Sequence, residues 1–101
     1  MQDMSVIAEL AIFPMDKGTS VSPWVARVVQ VIRASGLGHV MGPMGTCIEG
    51  PWQDVMNVVD ACYRALEPDC DRIYMTLKVD ARRGEAGRLD AKLDSVRQKL
   101  G

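Results

Sequence analysis

Three ionisable residues stand in runs that are otherwise largely apolar: Glu9 in "SVIAELAIFP", Glu49 in "GPMGTCIEG" and Lys78 in "IYMTLKVDARR". A carboxylate in covered, apolar surroundings needs a partner, because an unpaired buried charge is costly. Two chemistries would supply one. Glu9 or Glu49 can form a structural ion pair with Lys78, or the same groups can hold a polar or cationic ligand, and spacing alone favours neither. Around Glu49 the sequence offers further ligand-binding groups. Met41 and Met44 can line an apolar pocket. Gly42 and Gly45 leave room beside the turn for a close ligand. Thr46 opens the next strand with a hydroxyl that donates or accepts. The Gly42-Pro43-Met44-Gly45 turn is no phosphate loop, since no Lys-Ser/Thr follows it and it does not lead from a strand into a helix.

Other candidates are weaker. Cys47, Cys62 and Cys70 are odd in number and lack CxxC or other metal-ligand spacing, so no metal site is expected. They read as free thiols of a reducing compartment, the cytoplasm. A reactive cysteine would have only His39 as its partner. Arg82-Arg83 could hold an anion but fits a solvated strand end better. Trp24 and Trp52 fall in first helical turns, where packing is the expected role.

The elements that must position these residues follow from periodicity. Residues 5–14 alternate with both faces nearly apolar, which predicts a central strand. Ser22 is an N-cap candidate and Pro23 a first helical residue. Val25, Val28, Val29 and Ile32 then form a helical stripe that Gly36 ends. "LGHVM" and "GTCIE" are strands around the turn. A second helix runs from Trp52 to about Leu66, with Val55, Val58, Val59, Cys62 and Leu66 as its stripe. "RIYMTLKVDARR" is the last strand. Glu85 to Leu100 is a tail helix with Leu89, Leu93, Val96 and Leu100 in a narrow seam.

The order β-α-β-β-α-β plus a tail helix predicts an α+β, ferredoxin-like sandwich. It is a four-stranded antiparallel sheet of order 4-1-3-2 with two helices on one face. The helices should cover Val6, Ala8, Leu10, Ile12, Ile48, Ile73, Met75, Leu77 and Val79. The opposite face receives Glu9, Phe13, Cys47, Glu49, Tyr74, Thr76 and Lys78. With Ile7 and Ala11 also there, that face is too apolar for a free surface and should be covered by another subunit, the alternative being a solvated face whose charges serve solubility.

Composition sets the outer bounds. At 101 residues with 48% hydrophobic, one domain spanning 1–101 can build its own core. A net charge of −1 gives no footprint for nucleic acid. No run approaches the ~20 apolar residues of a membrane span. The acidic start, Met1-Gln2-Asp3-Met4, is not that of a signal peptide.

Four pieces, "ELAIFPM" with the helix start Ser20-Val21-Ser22, "GPMGTCIEG", "KVDARR" and "RLDAKLDSV", together resemble the thiamine-binding protein family across residues 5–98. The most specific is close to a family pattern Gly-Pro-Met-Gly-Thr-x-x-Glu-Gly. The resemblance implies a non-catalytic protein without a cofactor that binds thiamine or its hydroxymethylpyrimidine part. It also implies homo-oligomers, typically tetramers made by stacking sheet faces. Matched position by position, it points at Gly45, Thr46, Glu49 and Lys78. Glu85-Ala86-Gly87 departs from a more polar, often acidic family stretch. A thiazolium cation suits carboxylates, and an aminopyrimidine edge suits Thr, Glu and backbone groups. The expected ligand set is therefore Glu9, Met44, Gly45, Thr46, Glu49 and Lys78, with Phe13 or Tyr74 for aromatic faces. Two rival classes share the fold. An acylphosphatase-like enzyme would want an arginine in the first loop and an asparagine nearby, but Met15–Ser20 holds only Lys17. A regulatory module would oligomerise through the open sheet face without a vitamin ligand.

Overall fold

Val6, Ala8, Leu10 and Ile12 alternate with Ile7, Glu9, Ala11 and Phe13, and the strand they make, β1 (Met4–Pro14), lies inside the sheet as its two apolar faces require. The computed structural model describes residues 4–84 and 88–100. The elements after β1 are α1 (Ser22–Ala34), β2 (Gly38–Met41), β3 (Thr46–Pro51), α2 (Trp52–Leu66), a 3-10 turn (Glu67–Asp69), β4 (Ile73–Arg83) and α3 (Arg88–Leu100). The four strands form one antiparallel sheet of order β2-β3-β1-β4, the ferredoxin-like order expected. Residues 85–87, where the tail helix was expected to begin, lie outside the described residues.

Register decides which side chains share a face. Ala8 pairs with Ile48 on one side and Val79 on the other, so the even-numbered residues of β1 face the helices. There Val6, Ala8, Leu10, Ile12 and Ile48 form one core with Val28 and Ile32 of α1 and Val55, Val59, Cys62 and Leu66 of α2. Truncating a fully buried member such as Ile48 or Leu66 to alanine would cost about 2–5 kcal/mol. The α1 helix carries many β-branched residues, so this burial rather than propensity holds it.

Two local expectations are corrected. Ser22 is not a cap. Val21 occupies the cap position, its carbonyl accepts from the amides of Trp24 and Val25, and no side chain caps the helix. With Pro23 lacking an amide hydrogen, one fewer end group needs a partner. The helix does end at Gly36, whose φ of 76° is the left-handed stop. The second correction concerns β4. Met75 and Val79 face the helix layer yet are 44% and 41% exposed, because β4 is an edge strand and the helix pair packs over β1 and β3. The two turn glycines are tightly placed. A Cβ on Gly45 would meet the Leu10 carbonyl oxygen at 3.0 Å, and one on Gly42 would meet the Gly45 carbonyl oxygen at 3.2 Å. A side chain at either position would press on backbone, and both glycines line a cavity beside the turn.

Candidate functional site

On the face away from α1 and α2, the register lays the side chains out in rows across three strands. One row is Cys47, Glu9 and Lys78; the next is Glu49, Ile7 and Asp80. Glu9, Glu49 and Lys78 thus share a face as expected, but not one row. Lys78 Nζ lies 3.8 Å from Glu9 Oε1, in an exposed pair. Pairs of that kind contribute little to stability. Farther along, Phe13 and Tyr74 pack ring against ring at 5.6 Å.

Glu49 has a different partner. The Leu89 amide donates to its Oε2 at 2.9 Å, so a strand carboxylate caps the first turn of α3. Carboxylates are favourable there because they take up an unsatisfied amide and face the positive end of the helix dipole. From the other side of the row, Lys92 Nζ donates to Asp80 Oδ2 at 2.7 Å. The start of α3 therefore crosses the sheet over Ile7, and Ile7 and Leu89 are both buried. Beyond this crossing, Leu93, Val96 and Leu100 are exposed.

Met44, Gly45 and Thr46 belong elsewhere. Thr46 pairs with Leu10 and so sits on the helix side, three residues and one face away from Glu49. It is buried, at the floor of a cavity of about 240 Å³ between α1, the end of β1 and the hairpin turn. Leu10, Val25, Val28, Met41 and Met44 supply apolar walls, and Thr46 is the one polar side chain among the lining residues. Met44, 85% exposed, forms part of the rim. Outside the rim the cavity continues into a shallower groove of about 540 Å³ along α1, where Ser22, Gln30 and Arg33 join the walls. Among the described residues, no carboxylate lines either space. The expected ligand set is thus divided, with Met44, Gly45 and Thr46 at the cavity and Glu9, Glu49 and Lys78 on the opposite face.

The nucleophile candidates separate as well. His39 pairs with Ile48, which puts it on the helix side, whereas Cys47 is on the other face. Burial, and secondarily the charge of Glu9, pushes the Cys47 thiol above its usual range. Burial pushes Cys62 up to about 11, and its Sγ lies 3.8 Å from the Val28 carbonyl oxygen. Trp24 packs against the core and carries Arg27 over its ring at 4.6 Å, while Trp52 is half-exposed. Val21, Gln30 and Arg33 were not singled out as site residues in the sequence. A signal was present, because Val21, Val25 and Val29 recur every four residues and broaden the apolar arc of α1 past what the sheet covers.

A family model described as "Thiamine-binding protein" matches residues 8–97. A UPF0045 protein of Synechocystis sp. is 35% identical over 94 residues, covering 92% of this chain and 78% of the relative. A UPF0045 protein of Methanothermobacter thermautotrophicus is 35% identical over 98 residues, covering 94% of this chain and 99% of the relative. The crystal structure of a hypothetical protein from Methanocaldococcus jannaschii is similar in fold, with a TM-score of 0.83 at 29% identity, covering 91% of this chain and 95% of the other.

Proposed function

Because the chain belongs to the thiamine-binding protein family, we propose that it is a non-catalytic cytoplasmic binding protein for a thiamine-class ligand, whose pyrimidine ring enters the cavity beneath α1. The observation that carries this reading is the cavity itself. Its roughly 240 Å³ lie below the 300–1,000 Å³ of sites for drug-sized ligands. They exceed the ~150 Å³ that accommodates a benzene. A substituted single ring fits that range, and a two-ring molecule would leave its second ring outside. The walls offer apolar contact and one hydroxyl, which supports binding and orientation of a ring edge.

The same proposal includes a homotetramer. The Phe13–Tyr74 pair on the open sheet face and Leu93, Val96 and Leu100 on α3 give two apolar surfaces suited to another copy.

Calorimetry with hydroxymethylpyrimidine tests the site. Thr46→Val should weaken binding about three- to tenfold, as for a lost neutral hydrogen bond. Val25→Phe should fill the mouth and abolish binding. Undiminished affinity in both variants would overturn the assignment.

A further inference from the structure

The outer groove bears on what kind of molecule the cavity serves. Val21, Val25, Val29, Met41 and Pro43 line both spaces, so the two form one continuous depression with an apolar inner part and a polar outer part. Among the described residues, the only ionisable one lining either part is Arg33. It lies one helical turn beyond Val29, about 6 Å along the axis, within the span of an arginine side chain from the rim. Gln30, on the same stretch of α1, adds an amide donor.

The charge pattern elsewhere sharpens the point. Arg27, Arg64, Lys78, Lys92 and Arg97 each face a carboxylate within 4.0 Å. No such pair involves Arg33, or Arg72, Arg82 and Lys99 outside the depression, among the described residues. A place in the last turn of α1 lets a cation complement the helix dipole. That does not account for its standing beside a ring-sized cavity in a depression without carboxylates. The acidic groups that would suit a thiazolium are on the far face, where Glu49 holds α3 and Glu9 holds Lys78.

Resting on the reading of the cavity as a pyrimidine site, we infer that its ligand is a single uncharged ring bearing an anionic arm, a phosphate monoester above all. The ring seats against Thr46, and the arm lies in the groove, where Arg33 and Gln30 donate to it. A guanidinium suits this role because its fork of donors matches phosphate oxygens. A cationic ligand gains nothing from Arg33.

The test is calorimetry on the full chain with three probes: hydroxymethylpyrimidine, its phosphate monoester and thiamine. The ester should bind about tenfold tighter than the parent alcohol, as expected for charge-assisted hydrogen bonds at a partly exposed site. Added salt should erode the difference, and thiamine should gain no such advantage over the alcohol. In Arg33→Gln the ester should lose most of its advantage over the alcohol, with Gln30 keeping the remainder, and Arg33→Lys should restore part of the gain. Equal affinity of ester and alcohol for the wild-type chain, or an equal loss of both in Arg33→Gln, would overturn the anionic arm while leaving the pyrimidine site standing. Binding of none of the three would overturn both.

Discussion

Replacing Glu49 by glutamine should release the start of α3 without disturbing the core. The perturbation is small in shape, since glutamine keeps an acceptor oxygen, but it removes the charge. The Leu89 amide donates to Glu49 Oε2 at 2.9 Å. A hydrogen bond to an ionised acceptor contributes about 1.5–3 kcal/mol and a neutral one about 0.5–1.5. Losing the carboxylate's attraction to the helix end adds about 0.3–1 kcal/mol, part of which is already counted in the bond. Since Glu49 is only half-buried, the total should be about 1–2 kcal/mol, or a 5- to 30-fold rise in local opening. Amide hydrogen exchange reads this directly. Amides of residues 89–96 should exchange faster by that factor, whereas those of Ile48 and Val59 should keep their rates. Unchanged exchange at Leu89, or a rise shared equally by the core, would refute the idea that Glu49 acts as the cap of a docked helix.

Other consequences can be checked with single substitutions. Gly45→Ala should cost about 1–3 kcal/mol, because its Cβ would press on the Leu10 carbonyl oxygen at 3.0 Å, and thermal melting should fall by several degrees. Glu9→Gln should bring the Cys47 thiol down toward its ordinary range without reaching it, since burial is the larger cause, so alkylation near pH 8.5 should speed up. Arg27 donates to the Ala65 carbonyl at 3.1 Å, pairs with Asp69 at 2.8 Å and covers Trp24. Arg27→Lys should lose about 1 kcal/mol by thermal melting, mostly from the carbonyl and stacking contacts, because the exposed ion pair adds little. Phe13→Lys should shift the chain to a smaller species in sedimentation velocity; an unchanged sedimentation coefficient would count against stacking of sheet faces.

Much of the architecture was readable from residue patterns, and the exceptions have physical causes. The two apolar faces of β1 announced a central strand, and its strict alternation put Glu9, Glu49 and Lys78 on one face together. Alternation also carried information left unused: Thr46 and Glu49 are three apart on one strand and must point to opposite faces. The division of the candidate site was therefore legible in principle. The cap on α3 was not. It joins residues 40 positions apart, and no local pattern marks such a pair. The exposure of Met75 and Val79 was equally hidden, because it depends on where two helices settle across a sheet rather than on the strand's own sequence. The groove at Arg33 escaped for a related reason, since an arginine on an exposed helix face ordinarily needs no further explanation.

The pairing of β1 also has a consequence for how the protein is made. Met4 is opposite Arg83, so the outermost rung of the β1–β4 ladder joins residues 79 positions apart, and β3 closes on the same strand's other edge. At synthesis rates of roughly 5–20 residues per second, β1 waits about 4–16 s for the far end of its partner to emerge. Until β3 emerges, a strand apolar on both faces has two unpaired edges, and one edge stays open until β4 follows, the condition most open to mispairing with another nascent copy. Exchange-based pulse labelling during refolding should accordingly find the β1–β4 amides protected after those of the β2–β3 hairpin. Molecules that associate too early should do so through β1.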